Sequence, residues 1–498
     1  MNLSKSRYTR GIQCPKMLWM DNHLPEKFDP EVMNQAVLDT GSAVGDLAMG
    51  YYGDFVEVPF REGSKQPMID DTARFYEDAL AGRGPVNIAE ASFAYDGNFC
   101  SVDILRVESD GVHIVEVKSS THINEIYYHD MAFQTWVLAH CGLAVKSVSL
   151  MHLNYNYVRE GDIDLKWLFT VEDCSLQVAE LLPDVEANVP ALKAIADAQE
   201  EPSFDISPSC NKPYPCGYRG YCWRDLPKPN VFDLNRITAK KAFGLRERGI
   251  VSMGDLASSK TRLSPRQKVQ VRCEVDDVEV IIDKPKVAAF LDTLRYPLYF
   301  LDFETFAPAV PLFDGTHPFQ QIPTQYSLHV VRKPSDTPEH FEFLAEAGAD
   351  PRRSVAEHLV ADIPAGVCTL AYNMSFERGR IKEMAKAFPD LAEHLLSINE
   401  GMVDLIKPFQ DGSYYVRSMG GSNSIKAVLP ALFPNDPELD YHALDLVHNG
   451  SEASAAFEGL GEMDPEEAAF VRERLLRYCE LDTLAMVRLW EKLLEACE

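Results

Sequence analysis

Long hydrophobic runs are missing from this sequence of 498 residues, and none approaches the roughly 20 apolar residues of a membrane-spanning helix. The segment from Met1 to Lys16 also lacks the apolar stretch of a secretory leader. These absences predict a cytoplasmic protein that makes no membrane contact. The length exceeds what one hydrophobic core supports and predicts about two to four domains.

Positive charge is also scarce, because the formal net charge is -28. Such a balance disfavours a polyanionic partner, since phosphates are neutralised by Lys and Arg. The segment from Arg236 to Arg272 is an exception, with ten basic and two acidic residues and therefore a local charge of +8. We expect any contact with nucleic acid to be concentrated there, and a solvated linker face is the alternative.

A disulfide framework is not expected, because the eleven cysteines are an odd number scattered along a large chain. Cys210, Cys216 and Cys222 are separated by five residues each, which is wider than the two to four residues usual in zinc knuckles. Cys14 is the best candidate for a fourth ligand of a metal centre. The alternative is four unrelated reduced cysteines.

Proline-containing breaks at 225–232 and 283–285 divide the chain. They predict an N-terminal domain over 1–230, a basic helical linker over 231–285 and a C-terminal domain over 286–498. Within the linker, the segment AKKAFGLRERGIVSMGDLA resembles a helix-hairpin-helix, whose glycine-rich turn presents backbone N–H groups to a phosphate.

In the N-terminal domain, two apolar segments that flank Asp110-Gly111 predict a β-hairpin with strands over Phe99–Val107 and Val112–Lys118. Helical periodicity follows from Ile126 to His140. The second strand is apolar on both faces, which predicts a central, buried strand.

Three charged residues, Asp103, Glu116 and Lys118, lie in this hairpin. A two-residue turn at Asp110-Gly111 would place Asp103 opposite Lys118, and strand alternation places all three side chains on one face. Buried carboxylates are costly unless they are paired or bind a cation. The cluster therefore predicts a site where the acids hold a divalent ion and the lysine positions or deprotonates a water. The alternative is a cross-strand Lys-Glu pair on a solvated sheet edge.

The combination of Asp103 with Glu116-Val117-Lys118 resembles the PD-(D/E)xK nuclease superfamily. Gln134, on the following helix, matches a glutamine of the RecB-like members, and Glu90 stands where an upstream acidic metal ligand is often found. Two features depart from the pattern. Gly45 replaces a histidine that RecB-like enzymes often carry, and the tyrosine that commonly follows the glutamine is absent.

The cysteines resemble those of RecB-like exonucleases of the CRISPR-associated and AddB types, in which one cysteine precedes the nuclease core and three follow it. This resemblance implies that a [4Fe-4S] cluster is bound by Cys14, Cys210, Cys216 and Cys222. Such a cluster would close a loop of about 200 residues and fix both ends of the domain.

In the C-terminal domain, four acidic residues are predicted to point inward. An apolar strand is predicted over Pro297–Phe303, and Asp302 and Glu304 share one face at its end in the segment PLYFLDFETF. Glu377 heads the apolar stripe of a helix over Phe376–Phe388. One inward carboxylate is usually a capped or salt-bridged core residue. Several of them on different elements predict a pair of divalent cations that clamp the attacking and leaving oxygens of a phosphoryl displacement.

The fourth acid lies on the helix with the clearest periodicity, which is predicted over Phe470–Leu494. Asp482 falls on its apolar stripe, and Tyr478 precedes it by one turn. These motifs resemble the DEDD exonucleases, which have an RNase H-like fold. Tyrosine at this position indicates the DEDDy branch and implies that Tyr478 orients the attacking water. Glu377 stands where aspartate is usual in that family.

The whole motif set, including Lys426 in the segment SNSIKAVLP, resembles a bacterial family of unknown function that joins both nuclease types. The resemblance implies an α/β fold, with a restriction-endonuclease-like domain followed by an RNase H-like domain whose mixed sheet is flanked by helices. It implies an exonuclease or flap nuclease of DNA, active on single-stranded ends, in repair or defence. RNA exonuclease activity and a nucleic-acid-binding scaffold with inactive sites are the alternatives. Mg²⁺ or Mn²⁺ would be held at the two centres by Glu90, Asp103 and Glu116 and by Asp302, Glu304, Glu377 and Asp482.

Overall fold

The computed structural model describes residues 2–32 and 35–498. The chain forms two compact units, each made of two segments. The first unit comprises Met1–Asp225 and Pro308–Gln320, and the second comprises Leu226–Ala307 and Gln321–Glu498. The predicted linker over 231–285 therefore lies within the second unit. Among the described residues, no helix combines the length and apolarity that spanning a bilayer requires.

The first unit is built on a six-stranded mixed sheet whose strands follow the chain order. Two neighbouring pairs, the first with the second strand and the fourth with the fifth, are parallel, and the other pairs are antiparallel. The strands are β1 (Phe55–Glu57), β2 (Asn87–Tyr95), β3 (Asn98–Glu108), β4 (Gly111–Lys118), β5 (Val145–Leu153) and β6 (Phe169–Asp173).

The helices of this unit are α1 (Lys5–Gln13), α2 (Pro15–His23), α3 (Gln35–Met49), α4 (Gln66–Leu80), α5 (Glu125–His140), α6 (Leu165–Leu168), α7 (Ser175–Ala196) and α8 (Arg219–Cys222). The parallel pair β4 and β5 needs a crossover connection, and α5 supplies it. Asn124 caps α5, because its side chain accepts a hydrogen bond from the backbone N–H of Ile126. The predicted helix from Ile126 to His140 is confirmed.

The hairpin of β3 and β4 confirms the two predicted strands, but the predicted register is wrong by two positions. Glu108 pairs with Gly111, so Ser109 and Asp110 form the turn. Continuing the observed register places Asp103 opposite Glu116 and not opposite Lys118. A shift of two residues leaves every side chain on its predicted face, because side chains alternate with a period of two.

The segment over 308–320, which returns to the first unit, is held there by polar contacts. The guanidinium group of Arg159 donates to the carbonyl oxygens of Pro311 at 3.0 Å and Leu312 at 2.8 Å. The side chain of Asp314 accepts from the backbone N–H of Gly161 at 2.8 Å. Ala309 is buried in a hydrophobic cluster of this unit. No feature of the sequence indicated this return of the chain to the first unit.

The second unit contains a five-stranded mixed sheet in the order β10-β9-β8-β11-β12 and a separate two-stranded ladder of β7 and β13. The central strand of the large sheet is antiparallel to β9 and parallel to β11. The predicted mixed α/β class is therefore confirmed. The strands are β7 (Val280–Ile282), β8 (Leu298–Phe306), β9 (Ile322–Val331), β10 (Glu339–Leu344), β11 (Cys368–Ala371), β12 (Met402–Asp404) and β13 (Tyr414–Val416).

Helices flank this sheet and confirm the two predicted over Phe376–Phe388 and Phe470–Leu494. The second of these helices begins after Asp464, whose side chain accepts hydrogen bonds from the backbone N–H groups of Glu466 and Glu467. Pro465 occupies the first helical position. The helices are α9 (Ala239–Arg246), α10 (Met253–Ser258), α11 (Pro265–Val275), α12 (Lys284–Leu291), α13 (Arg352–Asp362), α14 (Ser375–Ala387), α15 (Ala392–Glu400), α16 (Lys407–Gln410), α17 (Ile425–Leu432), α18 (Gly450–Gly459) and α19 (Pro465–Glu495).

The basic segment forms α9, a turn, α10 and α11. Gly249 lies in the turn with a φ of 73°, a conformation that favours glycine. Arg266 is buried, stacks over the ring of Tyr415 at 4.0 Å and donates to the carbonyl oxygen of Ser422. It therefore serves packing. Most of the other basic residues are exposed, namely Arg236, Lys240, Arg248, Lys260, Arg262, Lys268 and Arg272.

Candidate metal centres

The predicted hairpin residues meet on one face of the first sheet, next to α5, and we call this group the first centre. Glu116 is fully buried and accepts from the ammonium group of Lys118 at 2.5 Å and from the amide of Gln134 at 2.6 Å. Asp103 accepts from the backbone N–H of Val117 at 2.7 Å. The structure thus brings Asp103, Glu116, Lys118 and Gln134 together.

Lys5 joins the first centre, although the sequence analysis did not identify it. Its ammonium group on α1 lies 3.2 Å from an oxygen of Asp103 and 3.0 Å from an oxygen of Glu116. Lys5 is 98 residues away from Asp103 and 111 residues away from Glu116 in the sequence, and no spacing rule connects α1 with a distant hairpin. Only the tertiary structure reveals this contact.

Asp130 was also missed. It lies on α5, one helical turn before Gln134, and accepts from Lys118 at 2.9 Å and from Gln134 at 3.2 Å. The spacing of four residues was a usable signal, because it places both side chains on the same face of the helix.

Glu90 lies in β2 with a φ of 55°, in the left-handed region that residues other than glycine rarely adopt. Burial raises the pKa of Glu90 to about 7, and the carboxylate of Asp103 adds to the shift. The charges of the first centre therefore act on Glu90, the predicted upstream metal ligand. Gly45, by contrast, leaves open space where a side chain would begin.

Two ammonium groups neutralise the first centre in part. Burial alone would raise the pKa of Glu116, but Lys118 and Lys5 outweigh it and the pKa is lowered. Burial raises the pKa of Asp103, with Glu116 contributing further. Burial would lower the pKa of Lys118, yet Asp130 and Glu116 raise it. Glu116 and Lys118 are thus both held in their charged forms.

A cavity of about 400 Å³ lies beside the first centre. Lys118 and Asp130 contribute charged groups to its wall. Tyr127, Tyr214 and Phe319 contribute aromatic rings. This size falls within the range of small-molecule and nucleotide sites.

The four predicted cysteines line a second cavity of the first unit. Cys216 is buried, and Cys14, Cys210 and Cys222 are half-buried. Burial raises the pKa of Cys216 to about 11, and the neighbouring Cys210, Cys14 and Cys222 add to the shift. Gln13 ties the segment to α1 by donating to the carbonyl oxygens of Ser209 and Tyr214 at 2.7 Å each.

The acids of the second unit form another group, which we call the second centre. One oxygen each of Asp302, Glu304 and Asp482 lie within 4.8 Å of one another. Asp302 and Glu304 come from β8 and Asp482 from α19. Glu377, on α14, is 3% exposed, and its Oε2 has no hydrogen-bond partner among the residues that the structure describes. The charge of Glu377 acts on both Asp302 and Glu304, so all four acids belong to one cluster.

Electrostatic repulsion is largely uncompensated at the second centre. Burial raises the pKa of Glu304 to about 8, and Asp482 contributes. Burial raises the pKa of Glu377 to about 8, with Asp404 contributing, and raises that of Asp482 to about 6. Burial and the other three acids raise the pKa of Asp302 well above its ordinary range. Without a bound cation, this cluster favours protonation.

Tyrosine hydroxyls complete the second centre. Tyr441 donates to an oxygen of Asp482 at 2.5 Å, an interaction that no sequence motif had indicated. Tyr478 is 3% exposed, and its hydroxyl lies 3.4 Å from the ammonium group of Lys426 on α17. Lys426 also donates to the carbonyl oxygen of His448 at 3.0 Å, which fixes its position.

A family model for a domain of unknown function, DUF2779, matches residues 299–424 of the chain. An uncharacterized protein MG366 homolog of Mycoplasma pneumoniae is 28% identical over 213 residues, which cover 39% of this chain and 32% of the relative. The chain thus matches about a third of that relative's length. No solved structure matches the chain.

Proposed function

We propose that this protein is a metal-dependent nuclease with two phosphodiester-cleaving centres, one in each unit. The four carboxylates of the second centre, of which Glu377 and Asp482 are buried and Asp302 and Glu304 half-buried, carry the proposal. They come from β8, α14 and α19, and no salt bridge to a described residue neutralises them. Divalent cations are the usual means of stabilising such a set, and they also activate phosphoryl transfer.

At the second centre, Asp302, Glu304, Glu377 and Asp482 would hold Mg²⁺ or Mn²⁺, which polarises a phosphate and lowers the pKa of a bound water. Tyr478 would orient the attacking water through its hydroxyl. The neighbouring ammonium group of Lys426 favours the position of that hydroxyl.

At the first centre, Glu90, Asp103 and Glu116 would hold a divalent ion, and Gln134 would orient Glu116. The raised pKa of Lys118, caused by Asp130 and Glu116 against the effect of burial, favours a protonated ammonium group. We therefore assign Lys118 to stabilising negative charge on the phosphate rather than to accepting a proton.

Single-stranded nucleic acid is the substrate that suits the first centre. The rings of Tyr127, Tyr214 and Phe319 in the adjacent cavity offer surfaces on which unpaired bases stack. In the second unit, the exposed basic residues around α9 and α10 would contact the phosphate backbone of a nucleic acid bound by that unit. DNA ends or flaps, handled in the cytoplasm during repair or defence, are the favoured substrates, and RNA is the alternative.

We further propose that Cys14, Cys210, Cys216 and Cys222 bind a [4Fe-4S] cluster. A zinc ion with four sulfur ligands at about 2.3 Å would hold the sulfurs roughly 3.8 Å apart. In the described part of the chain, the sets of three or more ligand atoms within 4.8 Å of one another contain no cysteine. No three of the four sulfurs therefore lie as close together as one bound zinc ion would hold them, so the proposal of a cluster rests on the cysteine spacing and on the shared cavity.

Labelled single-stranded DNA, duplex DNA and RNA, incubated with purified protein and Mn²⁺, test the nuclease proposal. We expect Lys118→Ala and Asp302→Ala each to lower the cleavage by its own centre by at least about 100-fold. The doubly substituted protein should be inactive. Binding without any cleavage by the wild type would favour the scaffold alternative, to which Glu377 in place of aspartate lends some support.

Absorbance near 400 nm with stoichiometric iron would support the cluster, and stoichiometric zinc at the cysteines would contradict it.

A further inference from the structure

Two histidines and one glutamate form a compact group in the second unit, outside the four-carboxylate cluster. His329 on β9 and His340 on β10 are cross-strand partners, and their rings stack with centroids 4.6 Å apart. Glu480 reaches them from α19. One nitrogen of each histidine and one oxygen of Glu480 lie within 4.8 Å of one another.

Hydroxyl groups fix both histidine rings. The Nδ1 atom of His329 lies 2.8 Å from the hydroxyl of Thr483, and the Nε2 atom of His340 lies 3.0 Å from the hydroxyl of Ser327. Ser327 and Thr483 are themselves 2.6 Å apart. Such contacts to one ring nitrogen orient metal-binding histidines and leave the other nitrogen for the ion.

The hydroxyl contacts leave the other ring nitrogen of each histidine unoccupied by Ser327 or Thr483. No described residue is hydrogen-bonded to the Nε2 atom of His329, whose residue is 5% exposed. The Nδ1 atom of His340 lies 4.0 Å from Oε1 of Glu480. Arg477 holds the other oxygen of Glu480 at 2.6 Å, so Oε1 is left for a further partner.

We propose that His329, His340 and Glu480 bind a zinc ion. Two imidazole nitrogens and one carboxylate oxygen are a common ligand set for zinc, with one position left for water. Burial lowers the pKa of His329 to about 4, with His340 contributing, so the ring is neutral near pH 7 and keeps a free lone pair. A bound zinc ion would draw the three ligand atoms to about 3.3 Å from one another.

This site is distinct from the second centre. Glu480 and Asp482 are two residues apart on α19, so their side chains leave the helix in nearly opposite directions. A zinc ion at His329, His340 and Glu480 would fasten the β9-β10 hairpin to α19. It would thereby fix the helix that carries Tyr478 and Asp482.

Metal analysis of the full chain tests this site without any use of nuclease activity. Protein dialysed against limiting zinc is compared with His340→Ala and His329→Asn, and His358→Ala is the control because that exposed histidine lies outside the group. We expect both variants to bind one zinc ion fewer per chain, and the control to match the wild type. Equal zinc content in the wild type and His340→Ala would overturn the proposal.

Glu480→Gln guards against variants that fail to fold, because it keeps the shape of the side chain. We expect it to weaken zinc binding at least about tenfold and to reduce the zinc-induced rise in Tm while its circular dichroism stays native. Cobalt provides a second readout, since a Co²⁺ ion at this site would give visible absorption bands that His340→Ala lacks. Bands of equal intensity in both proteins would contradict the assignment.

Discussion

Lys5 places an ammonium group 3.2 Å from Asp103 and 3.0 Å from Glu116, in the region where a divalent ion would contact both carboxylates. A cation already in this position opposes the arrival of another. The second centre has no such occupant, since its acids are paired with no described cation within 4.0 Å. A metal ion would therefore have to displace the ammonium group of Lys5 at the first centre, whereas no described cation holds that position at the second.

Lys5→Ala should tighten Mn²⁺ binding at the first centre about tenfold, because it removes this competing charge. The measurement is a calorimetric titration in an Asp302→Asn background, which removes a principal ligand of the second centre. Arg7→Ala is the matched control, since it removes one positive charge from the exposed face of the same helix. Weaker binding by Lys5→Ala would mean that Lys5 supports the ion instead.

Proton release should accompany Mn²⁺ binding at the second centre. The pKa values of Glu304 and Glu377, raised to about 8 by burial and neighbouring acids, mean that the metal-free folded protein holds protons that the unfolded chain gives up. Its stability should therefore fall as the pH rises from about 5 to 8. Mn²⁺ affinity should rise at least about tenfold between pH 6 and pH 8, because binding must expel these protons.

Calorimetry in two buffers with different ionisation enthalpies measures this proton release directly. Glu304→Gln provides the comparison, since it removes one of the groups that must ionise, and it should release fewer protons. Release that is absent at pH 7 in the wild-type protein would contradict the electrostatic account of the second centre.

The sequence alone identifies some residues of the two centres but not others. Asp103, Glu116 and Lys118 could be assigned to one face from strand alternation alone, and Asp482 from its place on an apolar helical stripe. Lys5 and Tyr441 could not, because long-range packing brings them to the two centres. No local pattern encodes such contacts.

At the scale of elements, the extents of the main strands and helices followed from periodicity, but the register of the β3-β4 hairpin did not. Asp110-Gly111 is a strong turn signal, yet Gly111 is needed for another reason. A β-carbon at Gly111 would lie 2.5 Å from the carbonyl oxygen of Ala144. The glycine permits a close approach of the chain before β5, and the turn forms one residue earlier.

The segment that carries Cys210, Cys216 and Cys222 depends on a second close approach of the backbone to another residue. A β-carbon at Gly217 would lie 2.4 Å from the ring of Phe28, which packs against Tyr218. Gly217→Ala should therefore displace the segment, lower stability by about 1–3 kcal/mol and reduce absorbance near 400 nm per chain by about half. Gly220→Ala is the control, because nothing lies within 4 Å of its added methyl group. Equal absorbance in the two variants would show that this contact does not support the cysteine site.

For the whole molecule, charge is distributed unevenly, with a net charge of -28 and a basic segment in the second unit. We expect binding to a single-stranded oligonucleotide to weaken about 30-fold between 50 and 200 mM salt, as for three or four neutralised phosphates. Lys240→Ala with Arg248→Ala should flatten this dependence, measured by fluorescence anisotropy. Lys382→Ala, exposed on α14, should leave it unchanged. An unaltered slope in the double variant would remove the basic segment from the binding surface.

The sequence predicts only part of the division of the chain into two units. The break near residue 225 follows from the prolines around it, whereas the return of 308–320 to the first unit has no marker in the sequence. Its attachment rests on Arg159 and Gly161, whose partners Pro311 and Asp314 lie 152 and 153 residues further along the chain. Contacts of this range are fixed by the folded structure.

The excursion of 308–320 also limits how this polypeptide tolerates scission. A truncated product ending at Asp225 would lose the residues that cover Arg159 and the pocket of Ala309, and would expose apolar surface around Val44 and Tyr157. The complementary product would keep the segment over 308–320 between β8 and β9, without the first unit against which it packs. Scission at residue 225 should therefore destabilise the first product unless the segment over 308–320 is moved with it.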